Sequence, residues 1–202
     1  MIIINVYVFI QQVSLGPYMD EFIAKYAVVP YHLLNYYGPI ETIAKLTTTM
    51  FLHGGWMHML GNMLYLWIFG DNIEGRMGHV KYLVFYLITG YVATLTHVYL
   101  LPDSTVPMVG ASGAIAGVLG GYFILFPRAK VLTLLPIFIF ITFVRIPALL
   151  FLGLWFILQV LNQAMVSSPD AQSVAWWAHI GGFVAGAILI KFFSNKPQIK
   201  YY

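Results

Sequence analysis

Pro107-Met-Val-Gly-Ala-Ser112-Gly-Ala-Ile-Ala-Gly-Val-Leu-Gly-Gly121 is an apolar stretch dense in small residues, with one hydroxyl near its start. Gly113, Gly117 and Gly121 recur every fourth residue and so share one helix face, where a second backbone can approach closely inside a membrane. Ser112 stands one residue before that groove. In the first turn of a helix it sits among unpaired backbone N–H groups at the positive end of the helix dipole, where negative charge on a nearby oxygen is stabilised. That position suits a nucleophile with an oxyanion site beside it. Taken alone, Ser112 reads first as a small interface residue or a helix N-cap, and the rest of the chain has to shift that reading.

The 202 residues are 60% hydrophobic and only 8% charged, against roughly a quarter charged in soluble domains. With a mean hydropathy of +0.82, this composition predicts one multi-pass membrane domain over 1–202, with room for about six spans and no added soluble domain. The net charge of +3 does not indicate nucleic acid, because the basic residues are scattered and form no stripe. Absence of cysteine removes disulfides, thiolate nucleophiles and cysteine metal sites. No cleavable signal is legible at the start.

The first apolar run ends at Gln11-Gln12, which leaves a span of about 18 Å against a hydrocarbon core of about 30 Å. The expectation is a first helix whose natural start lies upstream. Residues 14–49 read as an outer interfacial loop, with amphipathic runs at 17–29 and 40–46 broken by Pro30 and Gly38-Pro39. Further spans are predicted at 56–70, 82–101, 109–126, 148–166 and 174–193. The apolar run 131–144 contains Pro136 and is too short to span, so it is read as an interfacial or partly re-entrant connector.

Loop charge sets the orientation. With both termini cytoplasmic, Arg76, Lys81, Arg128, Lys130, Lys191, Lys196 and Lys200 fall inside, Lys25 and Lys45 fall outside, and Arg145 is unassigned. The second, fourth and sixth spans then all begin at the outer face. His58 and Asn62, four apart on one face of the second span, lie at the depth of Ser112 and His179. Ala178, Gly182 and Gly186 give the sixth span its own small-residue groove, able to bring His179 to the Ser112 hydroxyl.

These residues permit nucleophilic catalysis. A serine needs a base, and His179 is placed to be general base and then general acid to the leaving amine. No Asp or Glu lies inside a span, so a dyad is expected and a Ser–His–Asp triad is not. The Asn62 amide, the His58 imidazole and the Ser112 backbone N–H can supply the oxyanion donors. Each residue also has a plainer role open to it: His179 and Asn62 as helix-packing polar groups, and His58 as an interfacial histidine. The aspartyl and zinc alternatives lack their residues, since no carboxylate pair lies in the spans and no His-Glu-x-x-His occurs. The Gly-x-Ser-x-Gly elbow is absent because position 114 is Ala114.

Three segments, in order, resemble the rhomboid family of intramembrane serine proteases: His53-Gly-Gly-Trp-Met-His58-Met-Leu-Gly-Asn62, Gly110-Ala-Ser112-Gly113, and Ala178-His179-Ile-Gly-Gly-Phe-Val-Ala-Gly186. The resemblance implies an all-α bundle of six transmembrane helices, a Ser112–His179 dyad, and oxyanion stabilisation by His58, Asn62 and the Ser112 backbone. It implies that the fifth span and the loop 163–175 form a movable gate and cap. It implies single-span transmembrane proteins as substrates, cleaved near the outer face of the lipid bilayer, and neither a metal nor an organic cofactor. A catalytically silent relative that binds or escorts membrane helices is the competing reading; the presence of both Ser112 and His179 argues against it. A transporter is disfavoured because no ionisable relay crosses the bilayer and no internal repeat is visible.

Overall fold

The computed structural model describes residues 1–137, 140–166 and 174–195. Helix α1 (Ile2–Ser14) is followed by three short helices, α2 (Met19–Tyr26), α3 (Pro30–Asn35) and α4 (Pro39–Thr48), which make up the segment read as an interfacial loop. Pro30 and Pro39 open the last two at their first helical positions, where the missing N–H costs nothing. Then come α5 (Trp56–Met77), α6 (His79–Leu100), α7 (Ser112–Leu125), α8 (Ala148–Ala164) and α9 (Trp176–Phe193). By length and composition, α6 and α9 suffice to cross a membrane, while α7 and α8 are shorter apolar helices. The first apolar helix and the segment after it bend by 114° at a short break.

Two sequence expectations are corrected. The chain is not wholly α-helical: β1 (Lys130–Ile137) and β2 (Phe140–Pro147) pair antiparallel, with Lys130 opposite Pro147 and Ile137 opposite Phe140. The connector between α7 and α8 is thus built as a hairpin. Pro136 bars a helix interior, and Val131, Thr133, Ile141, Thr142, Val144 and Ile146 favour extended backbone, about half of whose polar groups can pair with the partner strand. The second correction concerns the span expected at 56–70: α5 continues past Gly70 to Met77, so Asp71, Glu74 and Arg76 ride on its last two turns.

Helix α7 lies at the centre, packed against α5, α6, α8 and α9. Glycine sets how close its neighbours come. A Cβ on Gly113 would meet Ala93 at 2.8 Å, and one on Gly117 would overlap Thr89, so two members of the four-residue stripe face α6. Backbone approach to α9 runs through Gly182 and Gly186, which press on the Gly113 and Gly117 carbonyls, and through Gly120, set against the Phe183 carbonyl. α7 is thereby pinched from two sides. Large apolar side chains such as Ile3, Leu60, Trp67, Ile188 and Phe192 stay exposed around the bundle, as expected for a lipid-facing surface.

The two ends of the bundle differ. At one, Arg76 and Lys81 hold Asn195: the Asn195 N–H donates to the Arg76 carbonyl at 2.9 Å and Lys81 Nζ donates to Asn195 Oδ1 at 3.2 Å. At the other, α1 is locked to the segment before α5. Gln12, fully buried, donates through Nε2 to the His53 carbonyl (3.1 Å) and accepts from the His53 N–H (3.0 Å). Gln12→Ala is expected to lower stability by about 1–3 kcal/mol, because it leaves a buried N–H and C=O unpaired. Thermal denaturation in detergent, with the exposed Gln11→Ala as a near-neutral control, measures this.

Candidate active site

The start of α7 is held by a small knot of backbone bonds. The Met108 N–H donates to the Val28 carbonyl at 2.7 Å, and the Gly110 N–H donates to the Thr49 carbonyl at 3.0 Å. The Thr49 hydroxyl donates to the Met108 carbonyl and accepts from the Val28 N–H at 3.2 Å. Gly110 has φ +126°, and a Cβ there would lie 2.8 Å from Cε1 and Nε2 of His58, so only glycine fits on both counts. The knot delivers Ser112 to the first position of α7, whose N-terminus carries no side-chain cap. The amides of that first turn therefore remain available.

His179, on the first turn of α9, is buried. Its Nε2 lies 2.9 Å from Ser112 Oγ, and its Nδ1 lies 2.8 Å from Gln159 Oε1 on α8. Gln159 Nε2 in turn donates to the Trp155 carbonyl at 2.9 Å. The Trp155 and Trp176 rings flank the imidazole, with centroids 5.9 and 6.0 Å away. These groups open onto a cavity of about 700 Å³, whose wall also includes His58, Asn62 and His97.

Asn62 is buried, and its Nδ2 has no hydrogen-bond partner among the described residues. The Gly54 N–H points to His58 Nδ1 at 3.4 Å, which makes Nδ1 the acceptor and leaves Nε2 to carry the proton. The structure thus brings Ser112 and His179 into direct contact and sets Asn62 and His58 in the wall of the same cavity. Of the expected cap, residues 167–173 lie outside the described residues. Among the described residues no three His, Asp or Glu side chains converge as a metal site.

Gln159 and His97 were missed by the sequence reading. Both are strongly polar residues within apolar runs, near the end of a helix that finishes where α7 begins. Counted from the span ends, as for Asn62, both lie at the depth of Ser112, a signal that would have flagged them.

Apolar helices pinched together by glycine, with Ser112, His179, Asn62 and His58 on the wall of one cavity near one end, define a helical membrane protein. A sequence profile of the Rhomboid domain matches residues 41–196. The chain is 33% identical over 158 residues to RHOMBOID-like protein 1 of Arabidopsis thaliana, covering 78% of this chain and 36% of that protein. It is 29% identical to Rhomboid-like protein 11, chloroplastic, of the same plant, over 76% of this chain and 54% of the relative. It is 33% identical to Rhomboid protein 1, mitochondrial, of Saccharomyces cerevisiae, over 73% and 41%. The chain belongs to the rhomboid family. It spans between about a third and about half of the length of these relatives. Members of the family are integral membrane proteins that act on transmembrane segments within the bilayer.

Proposed function

We propose that this chain is an intramembrane serine endopeptidase that cleaves single-span transmembrane proteins near the outer face of the membrane. The observation that carries the reading is the 2.9 Å contact between Ser112 Oγ and His179 Nε2 at the wall of a cavity of about 700 Å³ that Asn62 and His58 also line. Ser112 Oγ attacks the scissile carbonyl carbon while its proton passes to His179 Nε2. The tetrahedral oxyanion forms beside the Ser112 backbone N–H, with Asn62 Nδ2 and His58 Nε2–H as further donors. Collapse breaks the C–N bond; the amine leaves with the proton from His179, and an ester on Ser112 remains. Water then gives its proton to His179 and attacks the ester, releasing the carboxyl product and restoring the Ser112 hydroxyl. The unpaired Asn62 Nδ2 and the His58 tautomer set by Gly54 support these donor roles.

The proposed topology has six spans, α1, α5, α6, α7, α8 and α9, with both termini cytoplasmic. The bias of Arg76, Lys81, Lys191 and the other basic residues toward one end supports it. The cavity then opens outward, where water reaches the dyad, and α8 forms the side by which a substrate helix enters. Hydrolysis also requires that helix to unwind locally, because its carbonyls are otherwise hydrogen-bonded.

The test is cleavage of a single-span reporter by the chain reconstituted in liposomes, beside Ser112→Ala. Cleavage lost in the variant supports the reading; equal cleavage overturns it. Reporter binding without any cleavage favours the helix-escorting alternative. Asn62→Ala is expected to lower kcat by about 10²–10³-fold with little change in KM, as for the loss of one oxyanion donor. Steady-state kinetics in the same liposomes measure it.

A further inference from the structure

The His179 imidazole can take the Ser112 proton only if its ring is held in one orientation and one tautomer. His179 has two ring nitrogens, and only the tautomer protonated at Nδ1 presents a lone pair at Nε2 to the Ser112 hydroxyl. The partner at Nδ1 is Gln159 Oε1, 2.8 Å away. A side-chain amide can either donate or accept, so its orientation matters. Gln159 Nε2 is engaged in donating to the Trp155 carbonyl one turn earlier on α8, so the oxygen is the end turned toward the histidine. An amide oxygen only accepts. Nδ1 must therefore carry the proton, Nε2 must be the acceptor, and Ser112 must be the donor across the 2.9 Å contact.

We infer that Gln159 is a positioning residue for His179, fixing its tautomer and ring orientation from α8 and so forming a neutral third member of a Ser112–His179–Gln159 relay; this inference rests on the proposed serine-protease reading. Packing gives it the needed rigidity. Ala148, Leu152 and Gln159 are the buried residues of α8 and recur along one face, while Leu154, Ile157, Leu158 and Leu161 point outward. Gln159 is 5% exposed, and the Trp155 ring lies against the same imidazole. α8 thus touches the base at both its edge and its face. Outward movement of α8 would break the amide–imidazole contact, tying the alignment of the dyad to the position of this helix.

The test compares the parent chain with Gln159→Leu, which removes the acceptor at similar size, and Gln159→Glu, which keeps an acceptor oxygen. The first readout is the ¹⁵N spectrum of the His179 ring in the reconstituted protein, assigned by its loss in His179→Gln. The parent and Gln159→Glu are expected to show a proton on Nδ1, and Gln159→Leu a shift toward the Nε2-protonated form. The second readout is turnover of the reporter: kcat falls about 10–100-fold in Gln159→Leu with KM little changed, and Gln159→Glu recovers most of it. A parent ring protonated at Nε2, or a ring spectrum unaltered in Gln159→Leu, overturns the inference. The ring spectrum needs no activity, so a parent chain that fails to cleave would sink the protease reading while the tautomer is still decided.

Discussion

Ser112→Ala and His179→Ala are each expected to reduce kcat on a membrane-helix reporter by about 10⁴–10⁶-fold, and the double variant to be no worse than either alone. The non-additivity follows from the shared proton. Ser112 Oγ is a poor nucleophile until His179 Nε2 takes its proton across the 2.9 Å contact, and His179 has nothing to activate once the hydroxyl is gone. What survives is the slow attack of water in a cavity that still holds its oxyanion donors. Single-turnover kinetics in liposomes separate this from a loss of substrate binding. Losses that multiply in the double variant would mean that the two side chains act independently, and would break the dyad.

Gly186→Ala carries the second large effect, although residue 186 is far from the chemistry. A Cβ there would overlap the Gly117 carbonyl oxygen and lie 2.5 Å from its carbon and 2.7 Å from its Cα. These are backbone atoms at the centre of the bundle and cannot rotate away, so α9 has to shift off α7. His179 rides on α9 two turns earlier, facing Ser112 at the start of α7. A displacement of about 1 Å commonly costs about 10²-fold in rate, which is the loss expected in kcat. Overpacking is expected to lower stability by about 1–3 kcal/mol as well. Gly75→Ala is the control: its Cβ would meet nothing within 4 Å, and replacing glycine inside a helix leaves stability equal or slightly raised. Thermal unfolding and turnover of the two variants decide the matter; a Gly186→Ala protein as stable and active as Gly75→Ala would contradict the close α7–α9 packing.

Much of this arrangement was legible in the sequence because membrane spans write their packing in small residues and their depth in where they start. Ser112, His179, Asn62 and His58 could be set at one level by counting from the span ends, and Gly182 and Gly186 marked the face of α9 that meets α7. What spacing could not supply was the geometry of the crossing. Gly113 and Gly117 do receive α9, at their carbonyls, against Gly182 and Gly186, but the positions their own Cβ atoms would occupy meet Ala93 and Thr89 of α6, and Gly120, outside the four-residue register, adds a further close approach to the Phe183 carbonyl of α9. Periodicity ranks faces but does not say which neighbour each one gets. Depth alone would have flagged Gln159, but not its partner: the contact with His179 joins residues on two helices and depends on how α8 docks. The hairpin β1–β2 was missed because a short apolar run around a proline has no period that separates a strand pair from an interfacial connector.

The central claim is that Ser112 is a nucleophile activated by His179. Its most direct measurement is reaction of the membrane-embedded chain with a fluorophosphonate, followed by peptide mapping of the adduct. A single adduct at Ser112, absent from Ser112→Ala and strongly slowed in His179→Ala, is the predicted result. An adduct on another serine, or labelling of Ser112 at the same rate without His179, would contradict it.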